Sequence, residues 1–253
     1  MSSGSSSSLL PVNATLAVVL AVLLVAAVAV AGRGRLGFGH AVLRSGLRAA
    51  VQLAAVSVVI AFVVKSLPLL LLFVLLMFSV ASRTAGRRIT PGPGWWWAAV
   101  PLALGVLPVL AVLLLTGLLP LKGISLIPVA GILIGGALTA TTLAGRRALD
   151  ELHQRRGEVE AALSLGLDDR EARLEICRTS GASSLIPALD QTRTVGLVTL
   201  PGAFVGVLLG GAKPLAAGAV QLFVLIALLL VESVAILATL ELVARGRLRR
   251  PSA

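Results

Sequence analysis

The chain has 253 residues, of which 57% are hydrophobic and only 13% are charged. Soluble domains carry about 25% charged residues, and several apolar runs here reach the ~18 residues that mark a membrane-spanning helix. The net charge of +11 lies in short loops rather than on one long basic face, which excludes a nucleic-acid-binding surface as its main role. We therefore predict an all-α, polytopic membrane helix bundle.

The apolar runs predict seven spans within one transmembrane domain, residues 11–253, preceded by a flexible Ser/Gly-rich tail at residues 1–10. The spans cover about residues 11–31, 47–64, 68–81, 96–119, 124–144, 194–210 and 216–243. The second and third spans have an alternative, a tight re-entrant hairpin. Pro101 and Pro108 are expected to bend the fourth span, and the tryptophans at 95–97 to anchor its start at the lipid headgroups.

The basic residues predict the orientation of these spans, because positive charge is retained on the cytoplasmic side. With the N-terminus outside, every arginine falls in an inner loop or in the C-terminal tail, whereas Lys65, Lys122 and Lys213 fall outside. We predict an N-out, C-in, multi-pass protein of the cell membrane, either a plasma membrane or a bacterial inner membrane.

Residues 145–184, between the fifth and sixth spans, form the one long polar segment and hold most of the acidic residues. The fifth helix is predicted to continue past the membrane to about Gln154. Gly166 is expected to separate two short helices, and Asp168 with Glu171 has the spacing of a capping box at the start of the second. One interpretation is a solvated loop. The other is a coupling element that transmits the motion of a partner into the spans.

Titratable residues offer little for catalysis or metal binding. The single cysteine, Cys177, excludes an internal disulfide, and His40 and His153 lie far apart. The spans contain no His-x-x-x-His, aspartate pair or Ser/His arrangement, which disfavours an intramembrane enzyme. We expect no catalytic residue, no metal site and no cofactor bound by this chain.

Glu232 is the most informative residue inside a span, because a carboxylate there should face the bundle interior and have a partner. It is either a substrate-path or cation-handling group, or a structural glutamate. Gln52, Gln221 and Thr199 are its candidate companions, as path residues or as interhelical contacts. Glycines at G-x-x-x-G spacing predict close helix packing or a dimer seam, with the lining of a path as the alternative. These are Gly131, Gly135, Gly202, Gly206 and Gly210, and Pro201 is expected to break the sixth helix.

Two patterns resemble a known family. Glu160-Ala161-Ala162 followed by Gly166 resembles the EAA motif of ABC-transporter permeases, although the Leu-Pro that usually follows is missing. Residues 196–202 read Gly-Leu-Val-Thr-Leu-Pro-Gly, which resembles the signature of the FetB/YbbM-type permeases. Two further patches, residues 127–141 and Arg48 with Gln52, resemble that family. The chain departs from its pattern where relatives carry polar or thioether side chains, notably at Gly136, Leu138, Phe204 and Val207.

The resemblance implies the permease subunit of an ABC transporter. The chain has no G-x-x-x-x-G-K-[ST] motif, so ATP and Mg²⁺ would bind to a separate ATPase subunit. That subunit would dock on the polar segment, at Glu160, Ala161, Ala162, Gly166, Asp168 and Glu171. By analogy, two ATPases would serve a permease homodimer. Bacterial relatives imply metal export, such as iron, and plant relatives imply aluminium tolerance and sugar-nucleotide movement. The runner-up is an ion-coupled secondary transporter or channel using Glu232, for which no inverted repeat is evident.

Overall fold

The computed structural model describes residues 13–35, 37–64, 66–119 and 123–250. The predicted tail at residues 1–10, and Lys65 and Lys122 of the topology prediction, lie outside this described part. The regular structure of the described residues is helical, and their one isolated β-bridge joins Val195 and Thr199. The predicted all-α membrane bundle is therefore confirmed. The chain divides into two compact units, Met1–Phe62 and Val63–Ala253.

The first unit contains α1 (Ala14–Arg33) and most of α2 (Gly39–Val63). Asn13 caps α1, because its Oδ1 accepts a hydrogen bond from the Leu16 N–H at 3.0 Å. The two helices approach closely at Gly46, where an added Cβ would lie 2.6 Å from a methyl carbon of Leu24. Most of the large apolar side chains on both helices are exposed, a surface that suits lipid.

In the second unit, four helices and one 3₁₀ segment form the main bundle. They are α3 (Leu67–Ile89), the 3₁₀ segment Pro93–Ala98, α4 (Ala99–Leu115), α5 (Gly123–Gln154) and α10 (Pro214–Ala244). α5 packs against α3, α4 and α10. Small residues set the close contacts: Gly145 opposes Ile89 of α3, and Gly105 opposes Val231 of α10. α3, α5 and α10 run parallel, and α4 runs antiparallel to them.

Within the described residues, six helical stretches are long and apolar enough to cross a membrane. They are α1, α2, α3, Pro93–Leu115, Ser125–Gln154 and α10. α2 has 25 residues and α3 has 23, so each is about 35 Å long or more and exceeds the ~30 Å hydrocarbon core. Two full-length helices disfavour the re-entrant alternative. α3 also continues past its predicted end, and its last turns carry Arg83, Arg87 and Arg88, which are exposed.

The predicted sixth span, residues 194–210, is wrong as a single helix. α8 (Ile186–Thr194) ends before Gly196, whose φ of +83° belongs to the left-handed region that favours glycine. α9 (Gly202–Leu209) begins after Pro201 and has eight residues, so it spans only about 12 Å. The chain still passes here from the C-terminal end of α5 to the N-terminal end of α10. Two short helices with an irregular break replace the continuous span.

The C-terminal ends of α3, α5 and α10, which carry many of the charged residues of the second unit, lie close together. Arg250 forms an ion pair with Asp150, near the end of α5. The Thr90 hydroxyl, just after α3, donates a hydrogen bond to the Arg249 carbonyl at 2.8 Å. Lys213 lies at the other end of α10, whose 31 residues extend about 46 Å. This separation of arginine from lysine is the pattern that the topology prediction expects, and which end faces the cytoplasm stays a prediction.

Candidate functional site

The polar segment forms a helical hairpin at the arginine-rich end. α5 runs on to Gln154 as predicted, and α6 (Arg156–Ser164) and α7 (Asp169–Ala182) follow. Gly166 makes the turn with a φ of +94°, and Asp168 Oδ1 accepts the Glu171 N–H at 2.7 Å to cap α7. Leu165, at the tip of this turn, is 83% exposed. We call residues 156–182 the α6–α7 hairpin.

Ion pairs order the start of the hairpin. Arg155 donates to Glu151 at 3.1 Å and, through both Nε and Nη2, to Glu158. Arg156 reaches Glu160 at 3.2 Å. The hydrogen bonds from Arg155 lower the pKa of the exposed Glu158 carboxyl below its ordinary value. Because these pairs are exposed to solvent, they set the geometry more than the stability of the hairpin.

The second helix of the hairpin is docked on the bundle. α7 packs on α5 and α10 through buried Ala172, Ile176 and Cys177. Gly181 allows the closest approach, since a Cβ there would overlap the side chain of Leu240 on α10. Arg170 adds a two-pronged ion pair to Glu241, at 2.7 and 2.8 Å. Displacement of α7 would therefore act directly on α5 and α10.

A cavity of about 1070 Å³ lies inside the second unit, between α4, α5, α9 and α10. Its walls are mostly apolar, with the polar side chains of Ser125, Gln191 and Gln221 among them. Gln221 is only 5% exposed, and its Oε1 has no hydrogen-bond partner among the described residues. An unpaired buried amide oxygen is costly unless a bound molecule or water supplies a donor. Two stretches of irregular backbone line the cavity: the position of Pro128 inside α5, and the start of α9 at Pro201 and Gly202.

Glu232 is half-buried on α10 and faces α5. A Cβ added at Gly136 would lie 2.9 Å from the Glu232 Oε1 and 2.5 Å from a methyl carbon of Leu228. The carboxylate thus faces the bundle interior, as predicted. It forms no hydrogen bond or ion pair with another described residue, and the α5 position beside it, Gly136, carries no side chain. The expected partner is absent from the described part of the chain.

The structure separates the other predicted companions. Gln52 lies on α2 in the first unit, exposed, and lines a shallow groove with His40, Arg44 and Arg48. Thr199 is exposed in the break before α9, where its carbonyl accepts the Gly196 N–H at 2.9 Å. Of the four predicted polar residues, only Gln221 lines the large cavity. Within the described second unit, a path role therefore rests on Gln221 and Glu232.

The glycines selected by spacing differ from those that make the close contacts. Around Gly135, Gly202 and Gly206 a Cβ would find open space among the described atoms, and at Gly210 it would meet only carbonyls of its own turn. Gly131 does contact α3, since a Cβ there would lie 3.1 Å from the Met77 Cε. Gly202 and Gly206 instead line the cavity. The dimer-seam and path-lining alternatives stay predictions.

Sequence reasoning did not predict the closest glycine contacts of the described residues, where an added Cβ would lie less than 3.0 Å from another residue: Gly46, Gly86, Gly94, Gly105, Gly136, Gly145 and Gly181. None of them was found by its spacing from another glycine, because each contact is set by a residue of another helix or loop. Ser125 and Gln191 were also missed, since an isolated polar residue near a helix end has no distinctive pattern. In the described residues, no cluster of three or more His, Cys, Asp or Glu could hold a metal ion.

Fold and site together define a class: a multi-pass helical membrane protein with a polar helical hairpin docked on the bundle and an apolar cavity between its helices. Residues 14–247 match the family described as "Uncharacterised protein family (UPF0014)", so the chain belongs to that family. The resemblance drawn from the three sequence patches is thereby confirmed, because the relatives below include the FetB permease and the plant proteins of that group.

Three relatives cover most of the chain. UPF0014 membrane protein STAR2 of Oryza sativa subsp. japonica is 37% identical over 218 residues, 85% of this chain and 74% of the relative. Protein ALUMINUM SENSITIVE 3 of Arabidopsis thaliana is 35% identical, over 70% of this chain and 66% of the relative. "Probable iron export permease protein FetB" of Escherichia coli (strain K12) is 32% identical, over 86% and 85%. No solved structure matches this chain.

Proposed function

We propose that this chain is the permease subunit of an ABC transporter. It binds no nucleotide itself, and ATP and Mg²⁺ bind to a separate ATPase subunit. A homodimer of the permease works with two such ATPases in the lipid membrane. By similarity to the relative named an iron export permease, the cargo is a metal ion such as iron, moved outward.

The observation that carries the proposal is the α6–α7 hairpin. Its tip presents Leu165 to solvent, while its second helix is fixed to α5 and α10 by buried contacts and by the Arg170–Glu241 pair. Single exposed leucines are common on protein surfaces, so the contact that we propose also includes the apolar groove lined by Val159 and Leu163. Those same two helices bound the large cavity. Force applied at the tip therefore reaches the helices around a cargo site.

Electrostatics of the hairpin fit a partner of mixed charge. The Glu160 carboxylate is exposed and held by Arg156, so that both charges lie on the exposed first turns of α6. A groove beside α6 has apolar walls at Leu152, Val159 and Leu163. An apolar side chain of the ATPase inserted there would be surrounded by paired charges, which favours a specific orientation.

We test the hairpin with Leu165→Asp, using Leu165→Met as the matched control. A buried aspartate at the interface would be unpaired, so we expect at least a tenfold loss of ATPase co-purification and of permease-stimulated ATP hydrolysis. Leu165→Met keeps the apolar contact and is expected to retain more than half of both. The measurement is made on the co-expressed complex in nanodiscs.

Two further substitutions address the predicted coupling motif. Glu160→Lys reverses an exposed charge on α6, and Gly166→Val strains a turn whose φ is +94°. Wild-type binding and stimulated hydrolysis in both variants and in Leu165→Asp would refute the coupling role.

The second candidate is an ion-coupled secondary transporter or channel. The observation that favours it is Glu232, a half-buried carboxylate in the middle of α10 without an ion-pair partner in the described residues. Such groups mark proton or cation relays in membrane proteins. Transport by the purified protein in liposomes without any ATPase would establish this alternative and overturn the first.

A further inference from the structure

The C-terminal tail after α10 is a built structural element. Gly246 ends the helix with a φ of +65°, and the Arg247 N–H returns to the Leu242 carbonyl at 2.9 Å, which is a Schellman motif. Leu248, two residues past this glycine, is completely buried. The tail therefore turns back onto the bundle, with exposed arginines at positions 247, 249 and 250.

The loop after α3 holds the tail in place. The Thr90 hydroxyl donates to the Arg249 carbonyl at 2.8 Å and accepts the Gly92 N–H at 3.1 Å. At Gly94, a Cβ would lie only 2.7 Å from the Arg247 carbonyl oxygen, so the two backbones touch. Because these contacts use backbone atoms, the Arg249 side chain remains available for another contact.

A pocket of about 660 Å³ lies between the loop and the tail. Arg247, Arg249 and Arg250 line one part of it, and Trp96 and Trp97 the other. The Arg247 guanidinium lies 5.0 Å from the centre of the Trp97 ring, and the two indoles stack at 4.2 Å. The structure thus concentrates three positive charges beside an aromatic surface.

The charges of the pocket are only partly neutralised. Asp150 pairs with Arg250. Arg249 forms no ion pair with any described acidic residue, although its backbone is fixed. Two further arginines, Arg83 and Arg87, lie over the neighbouring Trp95 at 5.6 and 5.4 Å. The local balance stays strongly positive, so an anion is the expected ligand.

We infer that this pocket binds the phosphate of an anionic phospholipid headgroup. Guanidinium groups bind phosphate through paired, charge-assisted hydrogen bonds. The pocket lies where α3 and α10 end, and Trp96, 51% exposed, is the type of residue that sits at the headgroup level. Basic pockets at the ends of membrane helices bind acidic headgroups in the same way. A free phosphate shares this chemistry but would make no use of the exposed indole.

Native mass spectrometry of the full-length protein tests the inference with dioleoyl-phosphatidylglycerol, dioleoyl-phosphatidylcholine and inorganic phosphate. We expect phosphatidylglycerol to bind at least tenfold more tightly than phosphatidylcholine. Arg249→Gln should reduce that preference at least fivefold, because it removes one of the three guanidinium groups. The contact with the loop should persist, since Arg249 makes it through its backbone carbonyl. Arg249→Lys should retain part of the preference as a point charge.

The matched control is Arg33→Gln with Arg44→Gln, which removes two positive charges in the first unit and should leave the preference unchanged. A melting temperature within 2 °C (about the scatter of such measurements) establishes that each variant is folded. Equal binding of both lipids overturns the inference, and so does an unchanged preference in Arg249→Gln. Binding of inorganic phosphate without any preference for the acidic lipid also overturns it. None of these outcomes depends on an ATPase partner.

Discussion

Single residues in this protein acquire meaning from what lies across the helix interface. Glu232 attracts attention in the sequence because a carboxylate is costly in a membrane span. The structure adds that it lies beside Gly136, a position of α5 without a side chain. Gln221 is comparable, with a buried amide oxygen that has no partner among the described residues. Of the two, only Gln221 lines the large cavity, and a role of either residue in a transport path stays a prediction.

Glu232→Ala should lower transport at least tenfold while assembly stays near normal, because the carboxylate forms no ion pair or hydrogen bond with the described residues. Glu232→Gln separates the charge from the shape of the side chain, and Ser233→Ala is the neighbouring control. The measurement is uptake into inverted vesicles, across metal ions and nucleotide sugars. Wild-type transport by Glu232→Ala would show that the residue has only a structural role.

At the scale of elements, backbone contacts at small residues fix the helix packing. Gly105 on α4 faces the carbonyl of Val231 on α10, which a Cβ would approach to 2.7 Å. A backbone atom cannot rotate away as the end of a side chain can. Packing of α4 on α10 thus depends on this one position more than on the regularly spaced glycines.

Gly105→Ala is expected to destabilise the protein by about 1–3 kcal/mol through overpacking. Gly135→Ala is the matched control: it lies in α5 with open space around its Cβ, and alanine is favoured over glycine in a helix by up to about 1 kcal/mol. Unfolding by sodium dodecyl sulfate in mixed micelles measures both. Similar changes in stability for the two variants would mean that the close α4–α10 contact at Gly105 does not determine the stability of the protein.

On the scale of the whole molecule, the α6–α7 hairpin packs against the helix bundle through α7. Cys177 lies in the middle of this contact, completely buried, and its burial raises the pKa of the thiol to about 11. The chain has no other cysteine, so its reactivity reports how often α7 leaves the bundle.

Maleimide labelling of Cys177 should be at least 100-fold slower in the folded protein than in the unfolded one, since both burial and the raised thiol pKa limit the attack. Gly181→Val, which forces a side chain against Leu240, should speed labelling at least tenfold. Glu175→Ala changes an exposed residue of the same helix and should leave the rate unchanged. Rapid labelling of the native protein would show that α7 is not docked.

Much of the architecture follows from the sequence by itself. Long apolar runs must form helices in lipid, since every backbone group needs an internal partner there. The turn at Gly166 and the cap at Asp168 are equally local, because each depends on the conformation of a few adjacent residues. The segregation of arginine from lysine also predicted that the arginine-rich ends of α3, α5 and α10 lie on the same side of the bundle.

Only the tertiary structure decided the rest. Residues 194–210 are apolar enough for a span, yet α8 ends at Thr194 and only Gly202–Leu209 of the remaining segment form a helix. The sequence predicted the break at Pro201 but not the irregular stretch that precedes it. The glycines that matter were set by the neighbours that they face, which no spacing within one helix can reveal. The pocket between the loop after α3 and the C-terminal tail likewise joins residues more than 150 positions apart, such as Trp97 and Arg249, and such proximity exists only once the helices have packed.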